Sequence, residues 1–251
     1  MSRSSWIALG LGAYVAFTLA MFPAGTALRW FGPPGIAFAG VSGTLWNGSA
    51  ATSTLDGFTL EGMRWRVRPL PLLLGRVAAN VEARIPDGFV AGNVTASPSS
   101  VELRDFRGAT SLPALAGLLP VRDMRGQASV GLDRLVLENG WPSAAVGEIK
   151  VAGLESLPLI PDGSGAYLPL GDYTISFTPA AEGTLAAQFV DNGGPLEVAG
   201  TVMVDASRTY TLDALVEPRA GAPEQLVEGL RVMTAEPDAE GRRRLNLTGS
   251  L

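Results

Sequence analysis

From Ile36 onward this chain never runs far without a glycine or a proline. Gly57, Gly62, Pro69, Pro71, Gly75, Pro86-Asp87-Gly88, Gly92, Pro98 and Gly108 punctuate its first half, and long helices do not survive such spacing. The stretches between them alternate instead. Met63, Trp65 and Val67 point one way and Arg64, Arg66 and Arg68 the other, the two-residue period of a half-buried strand. Val77, Val81 and Ile85 share one face in the same way, and Val101-Glu102-Leu103-Arg104 alternates again. The body therefore reads as mainly β, a meander of antiparallel strands.

The second half continues the pattern. Gln127 to Leu137, Asp172 to Thr178, Thr184 to Val190, Leu196 to Val204, Thr209 to Val216 and Leu245 to Leu251 are strand candidates, with a tight turn expected at Asp191-Asn192-Gly193-Gly194-Pro195. Two short helices interrupt them. Thr110 to Leu119 has a hydroxyl cap, an early proline and a stop at Pro120, while Leu226, Val227, Leu230 and Met233 form a helical stripe within Pro223 to Met233. Glu138-Asn139-Gly140-Trp141 faintly echoes the Gly43 to Gly48 region, so residues 31–251 are read as one β-rich domain, with the option of two similar halves meeting near 110–125.

Composition removes several functions. With 251 residues and 47% hydrophobic side chains the chain can build a real core, and a net charge of -5 is the wrong sign for a nucleic-acid partner. It has no cysteine and no histidine. Thiolate nucleophiles, disulfides, the commonest zinc ligand and every Ser-His pairing are thereby excluded. Lys150 is the single lysine and shares a polar strand face with Glu148, so a Ser-Lys dyad has little to stand on. Asp133, Asp172, Asp205 and Asp213 fall at strand ends or polar faces and form no acid-base pair. The chain reads as no enzyme, with no catalytic residue, cofactor or metal.

Trp6 to Phe22 is apolar apart from Thr18, and with the neutral flanks Ser4 to Leu28 it supplies the roughly 20 residues that cross a hydrocarbon core. A cleaved signal peptide is the rival, with Gly25-Thr26-Ala27 as cleavage site, but the run exceeds a signal core of about 7–15 residues. An uncleaved single-pass anchor over 1–30 is favoured. Arg3 biases the N-terminus toward the cytoplasm, which places the body in the periplasm of a cell inner membrane.

Gly43-Thr44-Leu45-Trp46-Asn47-Gly48-Ser49-Ala50 suits a short buried strand, with Asn47-Gly48 as its turn. Trp46 and Trp65 on neighbouring strands would stack or interlock across a hairpin as a core staple, or form an aromatic shelf for a ligand. This segment, Trp65 with Pro69 and Leu72-Leu73-Leu74-Gly75, then Asp191-Asn192-Gly193-Gly194-Pro195-Leu196 with Gly200, Glu217-Pro218-Arg219 and Gly241-Arg242 together resemble the family of type II secretion system protein N over nearly the whole chain. The motif positions set apart are Gly43, Leu45, Trp46, Gly48, Trp65, Gly193, Gly194 and Pro195. Val232 to Glu236 departs from the pattern, lacking a glycine close to Pro237-Asp238.

The resemblance implies an inner-membrane accessory subunit of the type II secretion system, supporting export of folded periplasmic proteins across the outer membrane and contacting the inner-membrane platform or the secretin. It implies no catalytic residue. In architecture the family is also similar to AsmA-like proteins, in which an anchor leads to a curved sheet with an apolar groove for lipid, so the body is expected as such a groove or as a sandwich. Leu185-Ala186-Ala187-Gln188-Phe189-Val190, apolar on both faces, suits a strand buried on both sides or the wall of a lipid groove. Lipid binding or transfer is the alternative function. The triple Arg242-Arg243-Arg244 reads as a charged edge or a contact for anionic lipid or an acidic partner.

Overall fold

The computed structural model describes residues 3–32, 35–55, 58–116, 123–158, 165–180, 183–205, 207–234 and 236–250. Two helices, α1 (Arg3–Ala20) and α2 (Ala24–Phe31), precede the strands. The first strands are β1 (Ile36–Ala39), β2 (Ser42–Gly43), β3 (Asn47–Leu55), β4 (Phe58–Arg68), β5 (Val77–Ile85), β6 (Gly88–Ala96), β7 (Ser100–Ser111), β8 (Met124–Glu138) and β9 (Trp141–Ser156). They are followed by β10 (Leu168–Thr178), β11 (Leu185–Asp191), β12 (Leu196–Val204), β13 (Thr209–Pro218), α3 (Glu224–Met233) and β14 (Arg243–Ser250).

These strands make one 14-stranded sheet in which each strand from β3 onward pairs with the next, β1 closes on β3, and β2 adds a short rung beside β3. Pairing is antiparallel throughout. The sheet runs unbroken across the proposed meeting point of two halves, since β7 and β8 pair from Ser100–Glu138 to Ser111–Gln127.

The register sorts the side chains into two faces. Ala83, Val90, Gly108, Val130, Ile149, Ile175, Phe189, Gly200, Ala214 and Leu245 are successive cross-strand partners from β5 to β14. The next row, on the opposite face, is Arg64, Glu82, Ala91, Arg107, Gly131, Glu148, Ser176, Gln188, Thr201, Asp213 and Asn246. One face is therefore apolar across ten strands and the other polar, the alternation read from the sequence now aligned strand on strand.

The apolar face has only partial cover. Ala83 and Ala214 are buried, but Val90, Val130, Ile149, Ile175, Phe189 and Leu245 are half-buried. Helix α2 lies against β3 at one end, and a 3-10 turn at Leu112–Leu115, with Leu112 buried, lies on β7 and β8. Bulges at Gly62, at Asp105 (φ 50) and at several points of β9 interrupt the ladder. Such bulges increase local twist and bend the sheet, and β9 and β11 approach each other across β10.

Several expectations are corrected. The apolar run Ser4 to Leu28 is not one helix: α1 ends at Ala20, Pro23 forms an isolated bridge to Thr44, and α2 starts anew. Among the described residues no helix is long and apolar enough to cross a membrane. The body is a single sheet rather than a sandwich. Val190 on the polar side is 43% exposed, so β11 is not buried on both faces. The helix expected over Thr110 to Leu119 shrinks to the 112–115 turn, because Thr110 and Ser111 join the ladder to β8; residues 117–120 lie outside the described residues. The final strand ends at Ser250, with Leu251 likewise outside them. Helix α3 forms where its stripe predicts, with Leu226, Val227 and Leu230 half-buried.

Candidate functional site

The residues singled out in the sequence fall into two clusters. The first joins the helices to the sheet. Asn47 and Gly48 do not form a turn; they open β3, and the turn is Thr44-Leu45-Trp46, closed by the Thr44 amide donating to the Asn47 carbonyl (2.9 Å) and the Asn47 amide to Thr44 Oγ1 (3.2 Å). Gly43 ends β2 opposite Gly48.

Each residue of that turn has a partner outside it. The Leu45 amide donates to the Phe22 carbonyl (2.9 Å), and Trp46 Nε1 donates to the Leu19 carbonyl (2.7 Å), so the turn binds the last residues of α1 and the start of the α1–α2 connection. Toward the sheet, Trp65 Nε1 donates to the Leu45 carbonyl (3.1 Å) and the Val67 amide to the Trp46 carbonyl (2.8 Å). The two tryptophans do not stack. Each uses its indole N–H on a different main-chain carbonyl, Trp65 from a buried site and Trp46 from a half-buried one.

Trp65 lies over Gly48, where any Cβ would strike its ring, and this close approach is what requires glycine there. Trp65 is 9% exposed and forms a core cluster with Ala24 and Ala50, surrounded by Leu28, Phe38, Val41, Met63, Val67 and Val81. The small residues of α2 let its backbone approach the sheet, and Trp65 fills the gap. The segment is thus a three-way joint between α1, α2 and β2–β4.

The second cluster gathers Asp191, Gly193, Gly194, Pro195 and Arg219 at the β11–β12 turn. Arg219 Nη2 bonds Asp191 Oδ2 (2.7 Å), its Nη1 donates to the Gly194 and Leu196 carbonyls (3.0 and 2.9 Å), and its amide donates to the Pro195 carbonyl (2.8 Å). Asp191 also accepts from the Val198 and Gly193 amides at 2.7 and 3.2 Å. Gly194, at φ 144, passes against the Leu170–Gly171 backbone too closely for a side chain. Glycine is the residue that tolerates both demands.

Burial alone would raise the Asp191 carboxyl, but the Val198 amide, the Arg219 guanidinium and the Gly193 amide outweigh it and hold it below the usual carboxylate range. Burial pushes the neighbouring Tyr173 phenol up, assisted by the Asp191 charge. This arrangement is an ion-paired clamp on a turn. The Glu217-Pro218-Arg219 segment is visible in the sequence but its target is not, because the two charges lie 28 positions apart. Elsewhere Lys150 pairs with Glu148 (3.1 Å), and the Arg134 guanidinium, with Arg104 beside it, keeps the Glu102 carboxyl low.

The apolar face offers a concavity of about 300 Å³ lined by Ile85, Val90, Phe106, Ala128, Val130 and Ile149 beside Leu115. Its walls supply hydrocarbon and almost no chemistry.

An open antiparallel meander with one apolar face, hung from a pair of N-terminal helices by a Gly-Trp joint, defines a class of helix-tethered single-sheet proteins. The model for type II secretion system protein N matches residues 34–246, and the chain belongs to that family. It is similar to type II secretion system protein N of Aeromonas hydrophila, with 27% identity over 97% of both chains. The protein of the same name from Vibrio cholerae serotype O1 is 28% identical over 87% of this chain and 86% of its own. No solved structure matches, and the likeness to AsmA-like proteins finds no support there.

Proposed function

We propose that the chain is a non-enzymatic accessory subunit of the type II secretion system, held in the inner membrane by α1 with its sheet in the periplasm, where it supports export of folded proteins across the outer membrane. The observation that carries this reading is the family match over 34–246, and the joint and the clamp give the motif residues of this chain a mechanical role. Helix α1 supports the placement. Beyond Arg3, Ser4 and Ser5 it is apolar apart from Thr18, and Trp6, Ile7, Leu11, Tyr14 and Phe17 are exposed. At about 1.5 Å each its 18 residues reach roughly 27 Å, too short for a full hydrocarbon core, so this placement requires the bilayer to thin around α1.

The open edges supply a means of contact. No strand pairs with the outer side of β14 among the described residues, and an unpaired edge accepts a partner's strand. In-cell cross-linking of the full chain followed by mass spectrometry should recover platform subunits or the secretin. Adducts lacking any secretion component would contradict the proposal.

A second reading is lipid binding, favoured by the half-exposed apolar face from β5 to β14. Phospholipid retained at fixed stoichiometry after exchange into lipid-free detergent would support it, whereas lipid-free protein would remove it.

A further inference from the structure

The joint and the clamp leave one segment of the sequence without a role, Leu72-Leu73-Leu74-Gly75. It lies in a 3-10 turn, Leu70–Leu74, between β4 and β5, and it contributes nothing to the core. Leu70, Leu73 and Leu74 are 75%, 83% and 78% exposed, and Val77 beyond them is 47% exposed. A run of bare leucines at a strand end marks a contact surface.

The position of the turn names the contact. It follows Val67, whose amide donates to the Trp46 carbonyl, while the Trp46 indole donates to Leu19 in the last turn of α1. The leucine turn and the end of α1 thus both lie at the end of the sheet where β3 starts and β4 finishes. The turn is flanked by Arg68 and Arg76. Arg68 also donates to Asn80 and Asn93, and no acidic side chain pairs with either arginine among the described residues. Leucines between cations match a bilayer surface, with acyl chains receiving the former and anionic headgroups the latter.

We propose that the Leu70–Leu74 turn inserts into the surface of an anionic phospholipid bilayer, as a second membrane contact that fixes the sheet's orientation relative to α1. The inference rests on placing α1 in the membrane. The joint holds only the end of α1, through Leu19 and Phe22; a second contact on the β4–β5 connection braces the sheet against tilting on that one attachment.

The chain has no cysteine, so single labels report unambiguously. Full-length Leu73→Cys, Phe17→Cys and Glu224→Cys, each carrying an environment-sensitive fluorophore, would be reconstituted into phosphatidylethanolamine–phosphatidylglycerol vesicles. Leu70→Cys serves if Leu73→Cys does not fold. The proposal expects a blue shift, a several-fold loss of iodide quenching and strong quenching by brominated lipid at 73 and 17, with position 224 in water. A lipid-buried label at 17 with an aqueous one at 73 overturns the turn's role and leaves α1 in place. Aqueous labels at both sites overturn both readings. Shielding at 73 without quenching by brominated lipid shows a protein cover and also overturns the proposal. Protection at 73 should weaken in phosphatidylcholine vesicles and in an Arg68→Gln/Arg76→Gln background, and unchanged protection in both would remove the electrostatic part.

Discussion

At the scale of single residues, Trp65 and Asp191 hold the joint and the clamp together by different physics. Trp65 joins elements by volume and one N–H. Trp65→Ala removes a buried ring from between α2, β3 and β4 and should cost about 3–5 kcal/mol, read as a lower midpoint in urea unfolding. Asp191 acts by charge. Asp191→Ala leaves the Val198 amide and the Arg219 guanidinium without their acceptor and should cost about 2 kcal/mol. Because the folded carboxyl lies below its unfolded value of about 3.9, its contribution is complete above that pH and fades as pH falls through the folded pKa. Acid titration of unfolding free energy should therefore be shallower in Asp191→Asn than in wild type, and parallel curves would refute the clamp. The burial of Trp65 was legible from alternation with Arg64 and Arg66. The acceptor of its N–H was not, since Leu45 is joined to it by main-chain geometry that no side-chain pattern encodes.

Among the elements, the strands were the most legible, because one apolar and one polar row persist through a nearest-neighbour meander. The Gly43–Gly48 segment was misread as a strand with an Asn-Gly turn; Asn-Gly chemistry yielded to the demand that Gly48 lie beneath Trp65. The Leu70–Leu74 turn was also opaque. A leucine run in sequence signals burial, and here the leucines are bare. That contrast is measurable: Leu73→Ser should change stability by no more than about 0.5 kcal/mol, whereas Ile85→Ala, at a buried site, should cost about 2–4 kcal/mol. Similar penalties at both sites would mean that the turn packs on something within the chain.

For the whole molecule, the sheet has two ends and one covered flank. Its longest strands, β8 and β9, pair in the middle, while β1 has four residues and β14 pairs on one side. Amide exchange should be slowest in β8 and β9 and fastest in β1 and β14; uniform protection would contradict an open sheet. That the chain folds as an antiparallel meander was readable from its punctuation, but that the described residues leave much of the apolar face half-exposed was not, since a strand lining a groove and one inside a core share the same alternation. The central claim concerns the machine this sheet serves. The most direct test is to delete the chain in its native cells and quantify extracellular against periplasmic proteins by mass spectrometry, with outer-membrane permeability followed in the same cultures. A defined set of proteins should move from the medium to the periplasm while permeability holds; unchanged export would rule out a role in secretion.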